Sequence, residues 1–231
     1  MEIIQQALAA NQHALSEHEA KKVLADYGIP TTRESFARDT AEALTAAAEI
    51  GYPVVVKGSG AQLLHKSESG VVFVHLDSEA AVKNACDRIA QQLGDGFAGV
   101  LVQEMVSGKR ELVVGLHREP QFGPCVMLGI GGVLTELLND TAFRIAPFDE
   151  AEARDMADEL RARKILDPFR GEAAADMRAL CRSLTAVGRL GAEQPAISEI
   201  DINPLIITPG GGIKAVDALI VLKDSDNDTD S

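Results

Sequence analysis

The chain has no tryptophan, and aromatic residues make up only 4% of its 231 positions. Its core must therefore be filled mostly by Val, Ile, Leu and Ala. Three cysteines (Cys86, Cys125 and Cys181) are odd in number and far apart. They make no zinc spacing and no disulfide framework, and read as thiols of a reducing cytoplasm. No stretch approaches the roughly 20 uncharged apolar residues that a membrane span needs. The opening MEIIQQALAA lacks the basic start and apolar middle of a signal peptide. Positive charge is also scarce. Lys and Arg number 22 against 35 Asp and Glu, a formal net charge of −13. Such a chain does not coat nucleic acid or anionic membranes indiscriminately. Any anion it binds must be held locally, by a few cations and backbone N–H groups.

What is present is an ordinary globular pattern of alternating helices and Val/Ile-rich strands, which predicts α/β or α+β. LSEHEAKKVLADYGIP reads as a helix with Ser16 and Glu19 at capping-box spacing, stopped by Gly28 and Pro30. DTAEALTAAAEIGYP reads as a helix capped by Asp39 or Thr40, with Gly51 just past its end. SEAAVKNACDRIAQQLG starts a third at Ser78. Residues 150–163 and 172–190 read as two more. Strands are expected at 53–57, in VVFVHL, at 99–106, at 111–118 and in PCVMLGI. ISEIDINPLIITPGGGIKAVDALIVL reads as β throughout, with PGGG at 209–212 as its turn. The expected division is one lobe over 1–100, a second over 101–223, and a disordered acidic tail over 224–231.

Four stretches carry chemistry. Lys57 ends an apolar strand and is followed by Gly58, so it can reach phosphates lying on the sheet; equally, it can snorkel to water. Gly58, Gly60 and Gly70 bracket His65 and Lys66, a loop suited to an anion nest. It is neither a Walker loop nor a Rossmann fingerprint. His65 can act as a nucleophile toward a phosphoryl group or simply face solvent. VQEMVSGKRELVVG is a strand, a turn and a strand, with Glu104 and Glu111 on either side. Either acid can bind a ribose or lie in water. In the last stretch, strands pairing around PGGG set Asn203 opposite Asp217, two hard oxygen donors suited to Mg²⁺. Glu199, Asp201 and Asn203 alternate with Ile200 and Ile202, which makes one polar face that is either solvated or a site.

Together VVVKG, LLHKSESGVV, VQEMVSGKRELVVG, MLGIGGVLTELLNDTAFRIAP and SEIDINPL…AVDA resemble the ATP-grasp fold of NDP-forming acyl-CoA synthetases. Their order and spacing are similar to those of the separate β subunits of ADP-forming acetate–CoA ligases. The resemblance implies two lobes with a nucleotide cleft between them, ATP/ADP and Mg²⁺ as ligands, and the reaction acyl-CoA + ADP + phosphate ⇌ acid + CoA + ATP. It implies a partner α subunit that carries the CoA-binding and CoA-ligase domains. Residue by residue, Lys57 and Lys66 match phosphate-holding lysines, and His65 a second phosphoryl-accepting histidine. Gln103, Glu104 and Val106 match the adenine hinge, and Glu111 the acid near the ribose. Asn203 and Asp217 match the magnesium ligands, and Asp201 an acid close to the phosphohistidine. Gly129, Gly131, Gly132 and Glu136 match a glycine turn facing the site, and Arg144 lies in a block shared with the family.

The chain departs from many relatives at Ser69, where a glycine is usual. Two other functions stay open on the residues: an ATP-grasp ligase joining a carboxylate to an amine, and a nucleotide-sensing module that has lost activity.

Overall fold

The computed structural model of the protein describes residues 1–59, 71–132 and 140–223. Helices α1 (Glu2–Ala9), α2 (Glu17–Asp26), α3 (Thr40–Ile50), α4 (Glu79–Leu93), α5 (Glu150–Glu159) and α6 (Met177–Glu193) accompany ten strands. These are β1 (Glu34–Ala37), β2 (Val54–Ser59), β3 (Val72–Leu76), β4 (Gly99–Glu104), β5 (Arg110–Glu119), β6 (Gly123–Ile130), β7 (Thr141–Ile145), β8 (Ile197–Ile207), β9 (Ile213–Ala215) and β10 (Ala218–Leu222). They form a four-stranded sheet, β1-β4-β2-β3, and a six-stranded sheet, β10-β8-β5-β6-β7 with β9 beside β8. Every strand pairing within the two sheets is antiparallel. The class is thus the α+β form of the expected mixture.

The chain divides into two compact units. The smaller is Thr32–Met105; the larger combines Met1–Thr31 with the chain from Val106 on. This differs from the expected division at residue 100, because the first 31 residues join the second lobe rather than the first. The reason is a strap along the sheet edge. Leu15 N–H donates to Ile220 O at 2.9 Å, and Leu222 N–H to His13 O at 2.8 Å. Behind the strap, Ala20, Val23 and Leu24 of α2 are fully buried in the larger core.

Helix ends follow local sequence. Ser16 accepts from Glu19 N–H while the Glu19 carboxylate takes Ser16 N–H, a complete capping box. Asp39 and Ser78 cap α3 and α4 through the N–H groups of Glu42 and Ala81. In the smaller unit Val54, Val56, Val100 and Val102 face Ala43, Ala47, Val82 and Ile89 from α3 and α4. In the larger, α6 lays Leu180, Leu184, Val187 and Leu190 against Leu116, Val126 and Leu128. Each such buried Leu contributes about 1.5–3 kcal/mol of transfer free energy.

Two helices are shorter than the apolar pattern suggests: α5 stops at Glu159, not 163, and α6 begins at Met177, not 172. The segment between them packs around buried Arg110, 4% exposed. Its guanidinium donates to the carbonyls of Ile165, Asp167 and Ala173 and pairs with Glu172 at 3.1 Å. Asp140 holds the start of the same segment by accepting from the N–H groups of Arg161 and Ala162, each at 2.8 Å. Helix α1 and strands β1 and β7 were not anticipated. They are short, and β1 and β7 lack a clean period-two pattern.

Candidate functional site

In the smaller unit, strand alternation sends Val54 and Val56 into the core and turns Val55 and Lys57 to the other face of the sheet. Lys57 stands opposite Leu101 of β4 and Val72 of β3, and is 4% exposed. Gln103 stands opposite Val55 on the same face and is fully buried. A lysine and a carboxamide buried on the face away from the helices is the opposite of what packing alone selects. Glu104 follows at the strand end. Its carboxylate takes Arg33 N–H at 3.0 Å and Arg33 Nε at 3.1 Å, so the side chain is engaged inside its own unit. Val106 is where the chain re-enters the larger unit. His65 and Lys66 lie outside the described residues, as do Ser69, Glu136 and the tail 224–231.

In the larger unit the turn at PGGG sets the register that the sequence predicts. Leu205 pairs with Ala215 and Ile202 with Ala218. Asn203 N–H donates to Asp217 O at 3.3 Å, so the two residues stand directly opposite. Ile200 and Ile202 are buried beneath the helices, which turns Glu199, Asp201 and Asn203 to the other face. Asp201 lies between Gly115 of β5 and Leu219 of β10. Burial pushes its carboxyl above the usual range, and the charges of Glu199 and Asp217 add to that push. The donors of this cluster are hard oxygens, an amide and carboxylates, and a divalent cation would relieve the repulsion. Among the described residues no three His, Cys, Asp or Glu groups converge to cage a metal. This donor set suits an ion that takes its remaining ligands from a phosphate or water.

Glu111 is the second residue of β5 and is locked by the glycine turn. Gly131 N–H donates to Glu111 O at 2.8 Å. A Cβ on Gly131 would come within 2.9 Å of the Glu111 carbonyl carbon, so only glycine permits this approach. Gly132, at φ 79°, sits beside the Glu111 carboxylate. The turn therefore sets where the acid points, a role its residues did not declare in the sequence.

Arg144 is expected, with His65 and Asp201, among the catalytic residues on the strength of its shared block. It pairs in register with Val126, whose side chain is in the core, so it projects from the helix-covered face. Asp201 is on the opposite face. Arg144 is bound to the Glu159 carboxylate of α5 and donates to Phe143 O at 2.8 Å. That hydrogen bond to Glu159 raises the guanidinium pKa further and lowers that of Glu159.

Known proteins are similar to this chain over nearly its whole length. The ATP-grasp domain family matches residues 6–222. The β subunit of acetate–CoA ligase [ADP-forming] I from Pyrococcus furiosus is 40% identical over 226 residues, covering 96% of this chain and 97% of that one. A dinucleotide-forming acetyl-coenzyme A synthetase of Ca. Korarchaeum cryptofilum, solved with coenzyme A and Ca-AMPCP, superposes with a TM-score of 0.91. It is 42% identical, covering 96% of this chain and 99% of that chain. Another structure of that synthetase holds Mg-AMPPCP with its phosphohistidine segment pointing toward the nucleotide site (TM-score 0.85, 42% identity, the same coverage). The chain belongs to the ATP-grasp family, among the β subunits of ADP-forming acyl-CoA synthetases. It carries the nucleotide-binding fold of that family. No helix among the described residues is long and apolar enough to cross a membrane.

Proposed function

We propose that this chain is the nucleotide-handling β subunit of an ADP-forming acyl-CoA synthetase. It passes a phosphoryl group between a phosphohistidine and ADP during acyl-CoA + ADP + phosphate ⇌ acid + CoA + ATP. Its partner is an α subunit that carries the CoA-binding and CoA-ligase domains. The observation that supports this most directly is the register of β8 against β9 and β10, which sets Asn203 opposite Asp217 beside Asp201.

In this reading the reaction needs little covalent help from the protein, since phosphoryl transfer is mostly positioning and charge neutralisation. Lys57 holds phosphate oxygens from a buried position, where a cation acts with less screening. Gln103, Glu104 and Val106 present backbone groups to the base. The Glu104 side chain, held by Arg33, keeps that segment in place. Glu111, aimed by Gly131 and Gly132, accepts from ribose hydroxyls. Asn203 and Asp217 are the protein ligands for Mg²⁺, which when bound neutralises charge on the transferring phosphate. Asp201 stands beside them and accepts from the incoming phosphoryl-carrying imidazole; for this it must be ionised, which a cation at Asp217 favours. Lys66 adds a phosphate contact and His65 a second phosphoryl acceptor, on the strength of the sequence alone. The cytoplasm is the compartment that suits three unpaired thiols, each with its pKa raised by burial.

The test is phosphoryl labelling. The purified chain is incubated with Mg²⁺ and γ-labelled ATP, alone and with a candidate α partner, and acid-labile, base-stable label is sought. Label on the partner that requires this chain supports the proposal. Label on this chain that is lost in His65→Ala and kept in His75→Ala makes His65 a carrier. No label in either mixture, and no ATP binding by calorimetry, overturns the proposal.

A further inference from the structure

Helix α2 carries a buried ion pair that the site described so far does not use. Lys21 Nζ lies 2.9 Å from Glu17 Oε1, and both side chains are 2% exposed. The same ammonium donates to the backbone carbonyl of Val216 at 3.0 Å. Val216 falls in the break between β9 and β10, immediately before Asp217.

Burying two charges is costly even when they meet, and an apolar pair of the same volume packs as well or better. A methionine at 21 could fill the space. What it could not supply is an N–H donor fixed on one carbonyl. Backbone bonds tether this stretch as well. Ala215 N–H donates to Pro30 O at 2.8 Å, and Val216 N–H to Pro204 O at 3.0 Å. Asn203 N–H reaches Asp217 O at 3.3 Å. Lys21 holds the Val216–Asp217 peptide from its carbonyl end. Its own position is set by Glu17, in the helical turn that the Ser16–Glu19 capping box anchors.

We infer that Glu17 and Lys21 form a positioning clamp: the pair fixes the peptide that carries Asp217, and so the geometry in which Asp217 and Asn203 meet a nucleotide-bound divalent cation. This rests on the role proposed above for those two residues. Neither Glu17 nor Lys21 touches the reacting groups.

The experiment uses the full chain, Mn²⁺ as a paramagnetic probe and ADP. The Glu17→Met, Lys21→Met double variant removes both charges while conserving volume. It is expected to stay folded by circular dichroism and to bind ADP in EDTA as the native chain does. Its Mn²⁺ affinity in the presence of ADP, read by electron paramagnetic resonance, is expected to fall about 10- to 100-fold, a loss typical of disturbed outer-shell support. A folded double variant with native Mn²⁺ affinity overturns the clamp and leaves the metal reading intact. Should the double variant not fold, Lys21→Arg replaces it, since it keeps the charge but moves the donor. Weakened Mn²⁺ affinity then supports the clamp, and native affinity overturns it. A native chain whose ADP affinity is indifferent to Mn²⁺ overturns the metal reading and the clamp together.

Discussion

The two compact units are built alike and both are net acidic, but the polar faces of their sheets carry different side chains. Each packs helices on one face of an antiparallel sheet and turns polar residues to the other. In the smaller unit that face carries Lys57 and Gln103, both buried. In the larger it carries Glu199, Asp201, Asn203 and Asp217, half-buried or exposed. The chain's acidity is thus unevenly spent. In the proposed reading Lys57 meets phosphate directly, whereas Asn203 and Asp217 are ligands for a metal. Net charge of the whole chain predicts neither, because both are set by strand parity.

The strongest break in this comparison comes from the acidic side. Asp217→Ala or Asn203→Ala should lower phosphoryl transfer about 100- to 1,000-fold, as losing several kcal/mol of transition-state stabilisation implies. The melting temperature should stay within about 2 °C of native, since both positions are outside the core. On the cationic side, Lys57→Met should cost about 100-fold in the same assay. It should leave Mn²⁺ binding to the chain alone unchanged, which isothermal titration would check.

The clamp makes a stability prediction of its own. Lys21→Met alone strands Glu17 as a buried unpaired charge, a loss of about 3–5 kcal/mol. At about 2–4 °C per kcal/mol for a chain of this size, the melting temperature should fall by roughly 10 °C. Smaller effects sharpen the comparison. Arg144→Ala removes a half-exposed pair on the helix-covered face, worth about 0–1 kcal/mol. Phosphoryl transfer should stay near native; a large loss would return Arg144 to the site.

Asp201→Asn should give the smallest shift in stability. Burial first, then Glu199 and Asp217, raise the folded carboxyl pKa. A raised acid contributes stability that is full below its unfolded pKa, about 3.9, and is lost as pH rises through the folded value. The metal-free Asn variant should therefore melt about 1 °C above native at pH 7, and the two should converge near pH 4. Thermal scans across that range would read the crossing. Added Mn²⁺ should stabilise native more than variant, because only native carries the carboxylate.

Much of the site was legible before any fold was seen. The spacing of Asn203 and Asp217 about PGGG needed only the assumption of a hairpin, and the register confirms their pairing. The Ser16–Glu19 capping box, the Asp39 cap and Gly51 past the end of α3 are all as read. These are local statements, each settled within a few residues by backbone hydrogen bonds. The face that Arg144 takes was not legible, because its motif carries no strand parity. One residue either way along β7 moves a side chain through the sheet, and the strand was too short to phase.

What this sequence determined by itself was the list of parts: caps, turns, strand alternation, and a set of motifs whose order names a family. Tertiary structure decided which parts meet. It moved residues 1–31 into the larger unit, because Leu15 and Leu222 find ladder partners across more than 200 residues of chain. It turned an i, i+4 Glu17–Lys21 pair, which on any helix reads as a solvated surface pair, into a buried clamp on Val216. The physical reason is the same in both cases. Hydrogen-bond donors and strand periods are encoded locally, whereas burial belongs to the packed whole and changes the strength and the role of a charge.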